Sequence, residues 1–137
     1  MMNWTLNIKN TLTKNQQLVL DVLIKANMPV SAYFVLYELT EFGLKAPPQV
    51  YRALDRLIEL GKVHRIESMN AFIACEHTSC EASDLTAFTI CKKCEKVSEI
   101  KDKELSDYMH LRAEKFGIYE PKTNIEFHGV CPECSKS

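Results

Sequence analysis

Along the first sixty residues apolar positions recur at helical spacing, and beyond them they form short runs of four to nine, so helices should precede strands. Leu18, Val19, Leu20, Val22, Leu23 and Ile24 predict an amphipathic first helix, N-capped by Thr13 and ending near Ala26-Asn27, ahead of Pro29. Ser31 caps a second helix, whose expected apolar stripe is Phe34, Val35, Tyr37 and Leu39 and whose limit is Gly43. Pro47-Pro48 opens a third helix over 48–60, because prolines in a first turn forfeit N–H groups that have no helical partner there, and Gly61 closes it. Val50, Leu54, Leu57 and Ile58 point inward in this helix, which leaves Gln49, Arg52 and Arg56 on the opposite face, flanked by Tyr51 and Asp55. The runs 63–66 and 71–75 then read as a hairpin turning at Ser68-Met69-Asn70. Three helices and a hairpin are the winged helix-turn-helix plan, in which the third helix enters the DNA major groove. The periodicity is equally compatible with a small helical domain whose third helix has only a solvated polar face.

The second half has a different rhythm. Residues 76–85 are polar and read as a hinge loop. Strands are expected at 86–90, 96–100 and 122–130, with a helix at 103–116 closed by Gly117 and carrying Leu105, Tyr108, Met109, Ala113 and Phe116 toward the sheet. The fold class expected is therefore α+β: a winged helix-turn-helix DNA-binding domain at 1–75, the hinge at 76–85, and a small α/β dimerisation domain at 86–137. So small an α/β module is expected to dimerise.

Composition narrows the class of protein. With 46% apolar and 26% charged residues, no membrane-spanning run and no secretory pattern at Met1-Met2-Asn3-Trp4, the chain reads as a soluble cytoplasmic protein whose thiols stay reduced. Net charge is −1. Residues 1–70 hold eight Lys/Arg against six Asp/Glu and the remainder nine against twelve, so the half with the helical plan is the more basic.

Four of the six cysteines form two C-x-x-C pairs, Cys91/Cys94 and Cys131/Cys134. Two such knuckles offer the four thiolates that a closed tetrahedral zinc site requires, a structural centre of four cysteines. Disulfides fit the expected compartment poorly, and a redox C-x-x-C needs a helix after a buried strand. His64, Cys75, Asp84 and Glu99 are candidates for a second, mixed-donor zinc site where the halves meet, with His77 and Cys80 as rivals to Asp84. A cysteine at a strand end also fits as a small buried apolar residue, and a hairpin histidine as a surface group. His128 reads as a hydrogen-bonded strand residue.

The runs Ser31-Ala32-Tyr33, Pro47-Pro48-Gln49-Val50-Tyr51-Arg52-Ala53-Leu54-Asp55 and Gly61-Lys62-Val63-His64-Arg65-Ile66-Glu67-Ser68 resemble the DNA-binding half of the ferric uptake regulator superfamily. Within it, the zinc uptake branch matches best: His64, Cys75 and Glu99 correspond in type and order to its regulatory metal positions, and Phe127-His128-Gly129-Val130-Cys131 is similar to its approach to the last knuckle. The likeness runs from Leu12 to Cys134. It implies a homodimeric, zinc-responsive repressor that binds palindromic operators of zinc-acquisition genes, with one structural and one regulatory zinc per chain and with no catalytic activity, membrane or small organic substrate. Arg52 would read a guanine edge, Tyr51 would pack on a thymine methyl or contact phosphate, Lys45, Arg56 and Arg65 would mainly serve phosphates, and Tyr33 and Gln49 would contribute further DNA contacts. Three positions depart from the family pattern: Gln16 stands for an Arg, Gln49 for a Thr and Asp84 for a His. Other classes compatible with parts of the sequence are a superfamily member sensing another metal or an oxidant, a zinc-ribbon interaction module, and a zinc hydrolase using Glu99 as base.

Overall fold

A computed structural model of the protein describes residues 12–75 and 85–136. The chain divides into two compact units, Met1–Ala82 and Ser83–Ser137. Asp84, His77 and Cys80, with most of the expected hinge, lie outside the described residues.

In the first unit, α1 (Lys14–Ala26), α2 (Ala32–Leu39) and α3 (Pro47–Glu59) are followed by an antiparallel hairpin of β1 (Val63–Ile66) and β2 (Ala71–Ala74). The start of α1 is set twice over: Thr13 Oγ1 accepts from Gln16 N at 3.2 Å, and Gln16 Oε1 accepts from Thr13 N at 3.0 Å. Such a reciprocal cap satisfies two N–H groups that would otherwise lack helical partners, and a cap of this kind is worth about 1 kcal/mol. Gln16 thus has a structural use. Ser31 caps α2 by accepting from Phe34 N at 3.1 Å. Asn70 makes the hairpin turn in the left-handed region at φ 48°, where asparagine is tolerated better than most residues.

The core of this unit is Val19 and Leu23 of α1, Val35 and Leu39 of α2, Val50, Leu54 and Leu57 of α3, and Val63 and Phe72 of the hairpin. The hairpin is tied to the helices by a two-bond bridge between Val30 and Phe72. One expected stripe is corrected: Val35 and Leu39 are buried, but Tyr37 is 80% exposed and Phe34 lies largely outside. An eight-residue helix has room for one inward face, and Ala32, Val35 and Leu39, at i, i+3 and i+7, occupy it.

The second unit is a three-stranded sheet in the order β4-β3-β5, built from β3 (Leu85–Cys91), β4 (Val97–Ile100) and β5 (Thr123–Gly129). β3 pairs antiparallel with β4 and parallel with β5, and the parallel pairing requires a crossover, supplied by α4 (Lys103–Lys115). A short α5 (Pro132–Ser135) follows. Leu85, expected in the hinge, belongs to β3. The expectation for α4 is also corrected: no residue of it is buried, and Tyr108 and Phe116 face outward rather than onto the sheet. Among the described residues of this unit the buried ones are Ala87, Phe88, Ile90 and Cys91, all on β3.

Candidate metal centre and nucleic-acid interface

The parallel pairing of β3 with β5 explains how cysteines forty residues apart meet. Cys91 ends β3 in register with Gly129 of β5, so the chain leaves both strands at the same end of the sheet and the two knuckles turn side by side. The first is shaped by Glu95, left-handed at φ 64°, whose N–H donates to Cys91 O at 2.9 Å. The second is the start of α5, with Pro132 in its first turn and Ser135 N donating to Cys131 O at 2.8 Å.

The four sulfurs all lie within 4.8 Å of one another. Cys94 Sγ and Cys131 Sγ are 3.7 Å apart, against an edge of about 3.8 Å for a regular tetrahedron with metal–sulfur bonds of about 2.3 Å. All four cysteines are free thiols. Cys91 Sγ also accepts from the N–H groups of Cys94 (3.4 Å) and Cys131 (3.3 Å), the outer contacts that orient a metal-binding thiolate. Four soft donors at tetrahedral spacing fit zinc.

The protonation of the thiols follows from the same contacts. The Cys94 and Cys131 N–H groups pull the Cys91 thiol down to about 6. Hydrogen bonding from Cys131, reinforced by burial, pushes Cys134 up to about 12. At Cys94 the Lys96 N–H acts downward, but Cys91, burial and Cys131 together outweigh it, so this thiol is raised. Near neutral pH the metal-free cluster therefore keeps protons on Cys134 and Cys94 while Cys91 is largely thiolate. Because ligation needs thiolates, zinc uptake is expected to release about two protons or more per ion at about pH 7.5, and affinity should fall with acidification, more steeply below about pH 6 as Cys91 also protonates. Titration calorimetry in buffers of different ionisation enthalpy reads this number; release of less than one proton would contradict the assignment.

The other candidate ligands are placed unit by unit. In the hairpin, His64 pairs with Ile73 and Cys75 N donates to Lys62 O at 2.9 Å, so His64 and Cys75 are diagonal neighbours on one face. A ring nitrogen of His64 and the Cys75 sulfur lie within 4.8 Å of one another, and His64, 8% exposed, is the one buried polar residue among those described. Cys75 is disulfide-bonded. Its reduction is a precondition for metal ligation. In the second unit Glu99 sits on β4 opposite Phe88, its side chain 6% exposed, with Lys101 Nζ 3.6 Å from its carboxylate. His128, on β5, contacts Glu126 at 3.0 Å, as expected of a hydrogen-bonded strand residue.

The outward face of α3 presents Arg52, exposed, with Tyr51 half-buried beside it. Arg56 is exposed but held by Glu59 at 2.9 Å, an exchangeable surface pair. Arg65 projects from β1, hydrogen-bonded to Asn70 (2.9 Å), near Glu67 (3.6 Å) and over the Phe72 ring, which fixes its stem on the hairpin. Tyr33 and Lys45 are exposed. Gln49 was readable as a surface residue but not as a cap: its Oε1 accepts from both Lys45 N (2.9 Å) and Ala46 N (3.1 Å). For Gln16 the signal was present in the sequence, since Thr-x-x-Gln before an apolar run is a capping-box pattern.

No family model matches the chain. The zinc uptake regulation protein of Escherichia coli (strain K12) is 38% identical over 124 residues, 90% of this chain and 72% of that protein, and the Shigella flexneri protein of the same name gives the same values. Among solved structures, holo XcZur is similar at 38% identity and a TM-score of 0.79, with 92% of this chain and 87% of that one covered. A zinc uptake regulator complexed with zinc and DNA is similar at 34% identity and a TM-score of 0.81, with 98% and 91% covered. The iron-bound ferric uptake regulator of Francisella tularensis, 18% identical with a TM-score of 0.55, shares the fold.

Proposed function

The chain belongs to the zinc uptake regulator family, and from that premise we propose that it is a zinc-responsive transcriptional repressor acting as a homodimer on palindromic operators of zinc-acquisition genes. The observation that carries this reading is its likeness, over 98% of its length, to a regulator complexed with both zinc and DNA. Its own residues support each part. α3 offers an exposed Arg52 beside Tyr51, the pair that would read a guanine edge and a neighbouring base or phosphate; Lys45, Arg56 and Arg65 would serve phosphates, and Tyr33 and Gln49 would add further DNA contacts. The second unit leaves Tyr108, Leu111, Phe116, Ile118, Tyr119 and Phe127 exposed, more apolar surface than a unit of this size keeps in water without a partner, which supports dimerisation through 86–137.

Cys91, Cys94, Cys131 and Cys134 would hold a structural zinc, and His64, Cys75, Asp84 and Glu99 a regulatory one. Bound zinc supplies a fixed cross-link among its donors, without chemistry of its own. His64 and Cys75 sit at the base of the wing, so restraining them restrains the body that carries α3. In a twofold dimer two such bodies must match half-sites about one helical turn, or a multiple, apart. Coupling of about 1–3 kcal/mol would make operator binding roughly 5- to 150-fold tighter in the loaded protein.

Electrophoretic mobility shift of the reduced protein on a palindromic duplex library, with and without chelator, tests the function: shifts confined to the zinc-containing lanes are expected, and binding indifferent to zinc would oppose it. Cys75→Ser is expected to preserve the fold, the dimer and one zinc per chain while abolishing the zinc dependence of the shift. Elemental analysis beside the same gel checks this, and a variant that still responds to zinc would remove Cys75 from the regulatory set.

A further inference from the structure

α3 begins with two consecutive prolines, so two of the N–H groups that a helix ordinarily presents at its first turn do not exist. The next, Gln49 N, is already donated to Ala46 O at 3.1 Å. The start of this helix is therefore poor in backbone donors, although the contact expected there is with DNA phosphate. The Gln49 side chain changes that. Its carboxamide faces two N–H groups, Lys45 N and Ala46 N, and only the oxygen can accept from them; the opposite orientation would set its NH2 against two donors. The amide is thus locked, with its acceptor consumed and its two N–H donors directed away from the cap.

A glutamine reads adenine by using its oxygen and its nitrogen together, accepting from N6 and donating to N7. With the oxygen engaged at 2.9 Å and 3.1 Å, that mode is closed unless the cap breaks. We propose that Gln49 is a donor-only DNA contact whose Nε2 group binds a backbone phosphate oxygen at the start of the recognition helix, replacing the N–H groups that Pro47 and Pro48 lack and adding affinity without sequence preference. This rests on the DNA-binding reading above and assigns a chemical mode to one residue within it. Arg52, one turn further on and exposed, is left as the base reader.

The test uses the full zinc-loaded chain and the operator that the wild type selects from a randomised palindromic library. Gln49→Glu keeps an oxygen for the Lys45 and Ala46 N–H groups, so the helix cap survives, but it removes the donors and sets a charge against the phosphate. Its affinity should fall about tenfold or more, equally for the operator and for its single-base variants, with melting temperature unchanged. A methylphosphonate walk through the operator gives the readout that a purely structural role would not move. One substitution per half-site should weaken the wild type about tenfold while leaving Gln49→Met, which has no donor to lose, unaffected. A change in the selected sequence at an A·T pair in either variant, or equal sensitivity of wild type and Gln49→Met at every phosphate, would overturn the proposal. Failure of the wild type to select any operator would instead overturn the DNA-binding reading, and this one with it.

Discussion

Cys131→Ser is expected to unfold residues 83–137 while leaving residues 12–75 folded. The asymmetry follows from what each unit has to hold it together. The first has a core drawn from three helices and a hairpin, whereas the second buries only Ala87, Phe88, Ile90 and Cys91 among its described residues. Burial of Phe88 and Ile90 contributes about 1.5–3 kcal/mol each, too little to order some fifty residues. A structural zinc site contributes about 10–16 kcal/mol near neutral pH, and losing one of four thiolates from a closed site forfeits most of it. Dimerisation, proposed to run through the second unit, should be lost as well. Heteronuclear NMR is the suitable measurement: collapse of the dispersed resonances of β3, β4 and β5 with retention of those from α1 to β2 is expected. A folded, dimeric product lacking zinc would show that the four sulfurs are bystanders.

Arg52→Ala carries the second large effect. If the guanidinium makes a bidentate contact with a guanine edge, each half-site loses about 1–3 kcal/mol, and the twofold dimer loses it twice, or about 2–6 kcal/mol. Operator affinity should drop at least about thirtyfold and approach that for random duplex, while zinc content and melting temperature stay unchanged, since the side chain is exposed and supports no packing. Fluorescence anisotropy on operator and scrambled duplex gives both affinities. An equal loss on the two duplexes would make Arg52 a phosphate contact and move base recognition elsewhere.

Much of this architecture was legible in the residues because periodicity, caps and turns agreed. Thr13, Ser31 and Pro47 opened helices at the expected places, Asn70 made the hairpin turn, and the knuckle spacing gave the four-sulfur cluster. What periodicity could not convey is which apolar residues lack a partner. Tyr37 and Phe116 are spaced like core residues, yet a helix has one inward face in a single chain, and the rest of its apolar surface waits for something outside the unit. Side-chain capping at Gln49 was hidden for a different reason. Gln16 and Gln49 depart from the family pattern at positions where a DNA contact would be sought; the Thr-x-x-Gln spacing signals the cap at Gln16, whereas only the three-dimensional arrangement shows Gln49 spending its oxygen on the Lys45 and Ala46 N–H groups.

Control of operator affinity by a second equivalent of zinc is the central claim, and a zinc-buffered titration of the reduced protein against labelled operator, with bound metal measured in parallel, tests it most directly. Affinity is expected to rise roughly 5- to 150-fold as occupancy passes from one to two zinc ions per chain. An affinity that is flat across that interval, or that changes only as the first ion is removed and the second unit unfolds, would contradict it.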